Sequence, residues 1–229
     1  MKNSTLKLFP ILIAFFLAFC KENSTNQKGT DINLGIPAKF IDYDYIELDK
    51  IERISKFRSG IGHDYHDDFE TCRSMKHYYQ PKSGIDWSTV KIFSPVDGKV
   101  VRINEEWAGT QVHIECAVAK NTTIIIFHIA LLKPLSVGES LQAGQHIGYH
   151  IGSQTMSDIA VSCTIGNKWQ LISYFDEISD SLFQRYVSKG ISNRSECIIS
   201  KEARDTDPLN CNGDAFSTEG TIPNWIVLK

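Results

Sequence analysis

The sequence of 229 residues has no excess of basic side chains and no apolar run long enough to cross a membrane comfortably. It contains 24 lysines and arginines against 27 aspartates and glutamates, which gives a formal net charge of −3. Without a basic stripe, the chain is a poor match for nucleic acid or for an anionic lipid surface. It also has no glycine-rich phosphate loop, no G-x-S-x-G motif and no C-x-x-C pair, so the chemistries of those motifs have no support.

The start of the chain is typical of an export signal. Lys2 and Lys7 precede the apolar run Leu8–Phe19. This run has the length of a secretory signal core, whereas a transmembrane helix needs about 20 apolar residues. It ends in "LAFC", which resembles the lipobox of bacterial lipoproteins, although that pattern usually has Gly, Ala or Ser before the cysteine. The resemblance implies that residues 1–19 are removed and that Cys20 is acylated, palmitate included; an ordinary secretory signal is the alternative.

Residues 20–36 are polar and lack periodicity, which predicts a flexible tether between the lipidated cysteine and a single folded domain, 37–229. Because the chain is acidic, membrane attachment would come from acyl chains rather than from charge. The residue after Cys20 is Lys21, not the aspartate associated with inner-membrane retention in some bacteria. The predicted location is therefore the cell envelope, with a lipid anchor in the outer membrane or at the cell surface.

The other cysteines are candidates for disulfides, because an exported chain folds in an oxidising compartment. Cys197 and Cys211 bracket a loop rich in turn residues and could form a local bridge. Cys116 and Cys163 lie in strand-like runs and could pair across a sheet. These pairings leave Cys72 as the odd cysteine, although sequence alone does not fix the connectivity.

From Val90 to Cys163 the side-chain pattern predicts β-strands. "VKIFSPVDGKVVRI" indicates two strands joined by a turn, "TQVHIECAVA" alternates, and "NTTIIIFHIALL" is typical of a strand buried on both faces. Glycines recur in "VGESLQAGQHIGYHIG", as in a small, curved sheet. Further on, "DEISDSLFQRYVSKG" has helical spacing and "NWIVLK" indicates a last strand. We therefore predict a mainly β fold, a small curved antiparallel sheet or sandwich with one or two short helices.

Four segments resemble, in their order and spacing, the core of the LytM/lysostaphin-type zinc endopeptidases: "FSPVDGKVVRI", "GTQVHI", "IIFHIALL" and "LQAGQHIGYHIG". The resemblance covers about residues 76–162. It implies the glycine-rich antiparallel β core of that family, the duplicated hybrid motif. It also implies a zinc ion held by three protein ligands, with the fourth position left for a water molecule whose pKa the metal lowers to about 7.

Residue by residue, the zinc ligands of that family are only partly present. The family takes its ligands from H-x-x-x-D and from the last histidine of H-x-H, and a histidine in a "YxHL" strand assists catalysis. His128 matches the catalytic histidine and His77 the first ligand. Pro81 stands where the aspartate is expected, and the closest match to H-x-H puts Asp158 and Ala160 at its two histidines. Two of the three zinc ligands are therefore missing in this alignment.

The crowded segment "GHDYHDDFETCRSMKHYY" offers replacements, because His63 and Asp67 match H-x-x-x-D literally. A rebuilt zinc site would combine three histidines with one carboxylate: His63, His77 and His128, with Asp64, Asp67 or Asp158. A calcium ion in "HDYHDDFE" is an alternative, although the segment lacks the glycine and the ligand alternation of a calcium loop. In the plainest interpretation, the acidic residues here are solvated surface charges.

The sequence thus predicts an envelope lipoprotein whose LytM-like β domain lacks the standard zinc site and acts as a binding or regulatory module toward peptidoglycan or an envelope protein. A groove can survive the loss of its metal, because binding and chemistry rest on different groups. The alternative is a divergent zinc metallohydrolase of peptidoglycan peptides that uses His63, His77 and His128. A third interpretation is a structural lipoprotein without a ligand. The cofactor is accordingly either none or zinc.

Overall fold

The computed structural model of the protein describes residues 39–229. The predicted signal segment 1–19, the lipidation site Cys20 and the whole region assigned to the tether, 20–36, lie outside the described residues. Within residues 39–229, no helix is both long and apolar enough to cross a membrane.

An antiparallel sheet dominates the described part of the chain. Its strands are β1 (Ile51–Ser55), β2 (His77–Pro81), β3 (Lys91–Phe93), β4 (Gly98–Glu106), β5 (Gly109–Cys116), β6 (Thr122–Leu131), β7 (Ser140–Leu141), β8 (His146–His150), β9 (Ser157–Ile165), β10 (Lys168–Ile172) and β13 (Trp225–Val227), while β11 (Cys211–Asn212) and β12 (Ala215–Phe216) form a separate hairpin. The main path runs β13-β1-β2-β9-β6-β5-β4-β7; β10 pairs with β9, and β8 joins β3 to β6. The prediction of a mainly β fold built on an antiparallel sheet is confirmed.

Three short α-helices lie between β10 and β11 in residues 39–229, where the sequence predicted one or two. They are α1 (Tyr174–Glu177), α2 (Asp180–Val187) and α3 (Lys201–Thr206), and there are 3-10 turns at Leu48–Lys50, Trp87–Thr89 and Arg194–Cys197. Each α-helix begins after a serine whose hydroxyl accepts a hydrogen bond from a backbone N–H of the first turn: Ser173, Ser179 and Ser200. Helices as short as α1 and α3 show no helical periodicity in a sequence, which explains the difference.

The centre of the sheet is buried on both faces. In β6, Ile124 and Ile126 pack into the larger core cluster, whereas Ile125 and Phe127 pack into a smaller cluster on the other face. The apolar run of β6 predicted this arrangement, because consecutive residues of a strand point to opposite faces. Burial of each of these large side chains contributes roughly 1.5–3 kcal/mol.

The structure pairs the cysteines differently from the prediction. Cys72 and Cys211 form a disulfide, with Cα atoms 5.7 Å apart. Within residues 39–229, Cys116, Cys163 and Cys197 are buried thiols, so both predicted pairings are wrong. β6 lies between β5, which carries Cys116, and β9, which carries Cys163; two strand spacings of about 4.8 Å exceed the reach of a disulfide. Cys197 packs in the larger core cluster, away from the hairpin that carries Cys211.

Candidate functional site

A cavity of about 430 Å³ lies between the segment before β2, the β4–β5 hairpin and β6. Its lining residues are His63, Tyr65, Lys76, Glu106, Trp107, Gln111, Phe127 and His128. Two of the three histidines predicted from the sequence, His63 and His128, therefore share one cavity. They share it with an ammonium group and a carboxyl group that the sequence did not single out.

A buried ion pair lies beside this cavity. The side chains of Lys76, directly before β2, and Asp158, in β9, are 2% and 0% exposed, and Nζ lies 2.5 Å from Oδ2. Asp158 is in register with Tyr78, so Lys76, two residues earlier, lies on the same face. Burial is the largest influence on the pKa of Lys76 and lowers it, but the contacts with Asp158, Tyr78 and Tyr65 together outweigh burial and hold that pKa above its ordinary value. Lys76 therefore stays protonated and is not a nucleophile.

Aromatic rings surround the ammonium group of Lys76. Its Nζ lies 4.1 Å from the ring centre of Phe127, 4.7 Å from that of Tyr65 and 5.0 Å from that of Tyr78. Such contacts are worth about 2 kcal/mol or more when the cation is desolvated. Burial raises the pKa of both tyrosines to about 12, so their rings stay neutral at pH 7.

His128 adopts a backbone conformation that few residues other than glycine adopt. Its φ of 62° lies in the left-handed region, at a cost of order 1–3 kcal/mol. Its Nδ1–H donates to the carbonyl of Ala108 at 3.0 Å, and its Nε2 lies 3.3 Å from Asp158 Oδ1. Glu106, 3.8 Å from Nδ1, has a carboxyl pKa that burial raises. The imidazole is thus directed at the same carboxylate that Lys76 neutralises.

His63 completes the contacts of Lys76. Its Nδ1–H donates to the carbonyl of Asp64 at 2.9 Å, and its Nε2 accepts a hydrogen bond from Lys76 Nζ at 3.2 Å. Burial, together with the positive charge of Lys76, lowers the pKa of His63. The imidazole is therefore neutral at pH 7, and its free lone pair points to the ammonium group.

His77, the third predicted histidine, lies on the other face of the sheet. It is in register with Ile159, one residue along from the Tyr78–Asp158 pair. Its Nδ1–H donates to the carbonyl of Ser55 at 2.8 Å, and its Nε2 accepts from the hydroxyl of Ser173 at 3.1 Å. Burial lowers its pKa to about 4. Both ring nitrogens are thus engaged in the core, and the structure does not bring His77 to the cavity.

The H-x-x-x-D spacing is filled by residues other than those predicted. Lys76 and Gln80 are four positions apart, and strand alternation places both on the face of β2 that carries Tyr78. His77 and Pro81 occupy the same spacing one residue later, on the opposite face. A shift of one residue exchanges the faces of a strand, so a sequence match to H-x-x-x-D does not determine which side chains face the cavity. Of these two residues only Lys76 lines the cavity, and an ammonium group is not a usual zinc ligand; Gln80 accepts a hydrogen bond from Arg53 and lines a different pocket.

The acidic residues of the crowded segment stabilise its own conformation. Asp67 is buried; its Oδ1 accepts from the backbone N–H groups of Phe69 and Glu70, and its Oδ2 from that of Leu171. Asp64 Oδ1 accepts from the N–H of Arg73. These carboxylates are therefore occupied by backbone donors and are not directed into the cavity.

The residues present do not fit a bound zinc ion. Within residues 39–229, no group of three or more His, Cys, Asp or Glu side chains is arranged to hold a metal. Asp158 is paired with Lys76, and His77 is on the far face of the sheet. Ala160, at the predicted position of the third ligand, packs in the smaller core cluster.

A second cavity of about 570 Å³ continues from the first along the face of the sheet. The two share Tyr65 and Gln111, and the second is lined further by β4, β5, β6, β9 and β10. We call the two cavities together the sheet groove. In it, Asn104 donates to Gln111 Oε1 at 2.5 Å, and His113 donates to the same oxygen at 3.0 Å. Burial lowers the pKa of His113 to about 4, so it is neutral at pH 7.

Sequence reasoning missed most of the sheet groove. Trp107, at the tip of the β4–β5 hairpin, is 79% exposed at the rim of the first cavity, and Trp169 in β10 lines the second. The alternation of β5 was the available signal, because it places Gln111 and His113 on one face. The exposure of Trp107 had no sequence signal.

No protein-family model matches the sequence, and no curated protein matches it. Several solved structures resemble parts of the chain, among them the following three. The first, from Ruminococcus gnavus and provisionally described as a glycyl-glycine endopeptidase LytM, shares 12% identity over 44% of this chain and 43% of its own, with a TM-score of 0.36. A structure of the SpoIIQ–SpoIIIAH pore-forming complex shares 11% identity over 64% of this chain and 97% of the matched chain, with a TM-score of 0.44. Lysostaphin, solved by NMR, shares 16% identity over 51% of this chain and 52% of its own, with a TM-score of 0.32. The aligned part thus spans less than two thirds of the first and the third of these chains.

Proposed function

We propose that the chain is a lipid-anchored envelope protein, attached through Cys20 at the outer membrane or the cell surface, whose single β domain (37–229) binds peptidoglycan or an envelope protein without cleaving it. The observation that carries this proposal is the sheet groove, two cavities joined through Tyr65 and Gln111. Concave sites with a few ordered polar groups among aromatic side chains are typical of ligand binding.

The lining of the sheet groove favours a ligand that is rich in amides and hydroxyls and also carries charge, because Arg102 lines the second cavity and Lys76 and Glu106 line the first. Asn104, Gln111 and His113 form a hydrogen-bonded row that is neutral at pH 7. Trp107 supplies a flat apolar surface in the first cavity, and Trp169 supplies one in the second. A glycopeptide such as peptidoglycan presents this combination, and we favour it over a protein partner for that reason.

Catalysis by hydrolysis is the less favoured alternative. It would need a metal ion or an activated nucleophile, and the residues that contact Asp158 are a protonated lysine and His128. A zinc metallohydrolase using His63, His77 and His128 would require His77 to leave a buried position in which both ring nitrogens are hydrogen-bonded. Binding requires no such rearrangement.

The proposal is tested by co-sedimentation of the full chain with purified peptidoglycan. We expect wild type to sediment, and Trp107→Ala and Trp169→Ala each to weaken binding by about 10-fold, the effect of losing an aromatic anchor worth somewhat more than 1 kcal/mol. Leu132→Ala is the matched control, because Leu132 is 52% exposed but lines neither cavity of the sheet groove.

Other outcomes separate the alternatives. Cleavage of peptidoglycan that is lost on chelation would support the metallohydrolase. Failure to sediment, with capture of one defined envelope protein that depends on Trp107, would assign the groove to a protein partner. Failure to bind either would leave a structural lipoprotein and overturn the proposal.

A further inference from the structure

We infer that the ammonium group of Lys76 is the resident cation of a latent metal site formed by His63, His128 and Asp158, and that this lysine is what keeps divalent metal out. The inference concerns the end of the groove around Lys76 and does not rest on the proposed function. It predicts that shortening this one side chain converts the cavity into a site for zinc.

The first support is the set of groups around Nζ. Asp158 Oδ2 lies 2.5 Å from it and His63 Nε2 lies 3.2 Å from it, while His128 Nε2 lies 3.3 Å from the other oxygen of the same carboxylate. Two imidazoles and one carboxylate are the ligand types of many catalytic zinc sites. Here the carboxylate and one imidazole contact a positive charge that belongs to the chain itself, and the other imidazole contacts the same carboxylate.

The second support is the orientation of the two imidazoles. Each donates its Nδ1–H to a backbone carbonyl, His63 to Asp64 and His128 to Ala108, at 2.9 and 3.0 Å. Histidines that bind a metal through one nitrogen almost always donate the other N–H in this way, which fixes the ring and its tautomer. In both residues Nε2 is therefore the nitrogen left to face the cluster.

The third support is the fit of Lys76 to the space. Its side chain is 2% exposed and passes among Tyr65, Tyr78 and Phe127, whose rings lie 4.1–5.0 Å from Nζ. A buried positive charge held on several sides by carboxylate, imidazole and aromatic faces repels a second cation and fills the position that it would take. Metal can enter only if this group is removed.

The present spacing also explains why no metal-binding group is formed as the cluster stands. A distance of 3.2 Å separates Nζ from His63 Nε2, whereas zinc–nitrogen bonds are about 2.0–2.1 Å long. The ligands must therefore close by about 1 Å around a smaller ion. His63 lies in a segment without regular secondary structure, where such a movement is least obstructed.

The test compares the full chain with its Lys76→Ala variant, both purified without a metal-affinity tag. Each is titrated with Zn²⁺ alone by calorimetry, and with Co²⁺ alone by visible absorption, which reports the geometry of the ligands. We expect one equivalent of either ion to bind Lys76→Ala, with a rise in Tm as Zn²⁺ is added, and no binding or Tm shift in wild type. Lys76→Arg, which keeps the charge, should resemble wild type.

The control variants are Lys76→Ala/Asp158→Asn and Lys76→Ala/His128→Asn, in each of which one proposed ligand is lost and Zn²⁺ binding should be lost with it. If Lys76→Ala is unfolded without metal, recovery of its circular dichroism on addition of Zn²⁺ supports the inference. The inference is overturned if wild type binds Zn²⁺ as Lys76→Ala does, if the control variants bind as well as Lys76→Ala, or if Lys76→Ala neither binds nor refolds with Zn²⁺.

Discussion

The carboxylate of Asp158 is fully buried, and its two oxygens face different partners, Lys76 and His128. A buried charge pair of this kind adds little net stability compared with apolar side chains, because both charges had to leave water. Removing one partner is different, because the other charge then remains buried and unpaired. The pair is therefore best tested through single and double substitution.

Asp158→Asn is expected to lower the free energy of unfolding by about 3–5 kcal/mol, the cost of leaving the Lys76 ammonium group buried without its counter-ion. Lys76→Met combined with Asp158→Asn should recover most of this loss. Urea unfolding measures both. Asp180→Asn serves as the control, since Asp180 pairs with Lys39 and Arg194 at the surface and its loss should change little. An equal effect of the two single substitutions would contradict the account of the ion pair.

The imidazole of His77 makes stability depend on pH. Burial lowers its pKa from 6.5 to about 4 in the folded state, so between these values the unfolded chain binds more protons. The free energy of unfolding should then fall as pH falls through this window, by about 3 kcal/mol from this residue. Above pH 6.5 none of this stability is lost, because His77 is neutral in both the folded and the unfolded chain.

The comparison with His77→Gln isolates this effect. The variant should be less stable at pH 7 but should lose less stability between pH 6.5 and 4 than wild type does. Asp44, whose pKa burial raises to about 6, makes the folded state more stable as pH falls. Both proteins contain Asp44, so its contribution cancels when the free energy of unfolding of the variant is subtracted from that of wild type. Identical pH dependence in both proteins would show that His77 is not buried as a neutral base.

At the scale of elements, the disulfide connects the segment before β2 to the hairpin of β11 and β12. Cys72 and Cys211 are separated by 139 residues, and nearby the N–H of Asp64 donates to the carbonyl of Asp214 at 2.7 Å. The connected segment carries His63 and Tyr65, which form one wall of the sheet groove. The disulfide therefore anchors a wall that has almost no regular secondary structure of its own.

Replacing both cysteines, Cys72→Ser with Cys211→Ser, should lower the free energy of unfolding by about 2–5 kcal/mol, because the unfolded chain regains the freedom of a long loop. A reducing agent should lower the Tm of wild type to about the Tm of the double variant and leave the Tm of the double variant unchanged. A shift of the double variant on reduction would show that another disulfide is present.

At the scale of the whole molecule, the sheet could be predicted from the sequence and the wall of the cavity could not. The apolar run around Ile125 and the alternation of β5 report which faces are buried, so the strands from β3 to β9 follow from local pattern. Residues 56–76 have no such pattern. Their position is fixed by contacts with residues distant in sequence, such as the hydrogen bond that Asp67 accepts from the backbone N–H of Leu171.

The same distinction explains the error at His77. Sequence spacing predicted that His77 faces the cavity, but only the register of β2 with β9 determines which face each residue occupies. Lys76 drew no attention because a lysine is usually an exposed residue. Its burial results from Asp158, 82 positions later in the numbering of the chain.

The last strand, β13, lies at one edge of the sheet. β13 pairs with β1, which otherwise would be an edge strand, and Asn224 is buried, with its Oδ1 accepting from the N–H of Gly60 and from Arg204. Removing residues 223–229 should therefore leave unpaired polar groups and an open edge, and cause a lower Tm and aggregation in size-exclusion chromatography. Removal of Lys229 alone is the control and should leave a monodisperse protein.

The positive charge beside Asp158 belongs to the Lys76 side chain, so it is in place once the protein has folded. No ion has to be bound from the surroundings. A protein that depends on a bound ion loses its shape when metal is scarce or when a chelator is present, and regains it only when the supply returns. The arrangement around Asp158 has no such dependence. We expect this end of the groove to be equally complete whether the surroundings are poor or rich in metal.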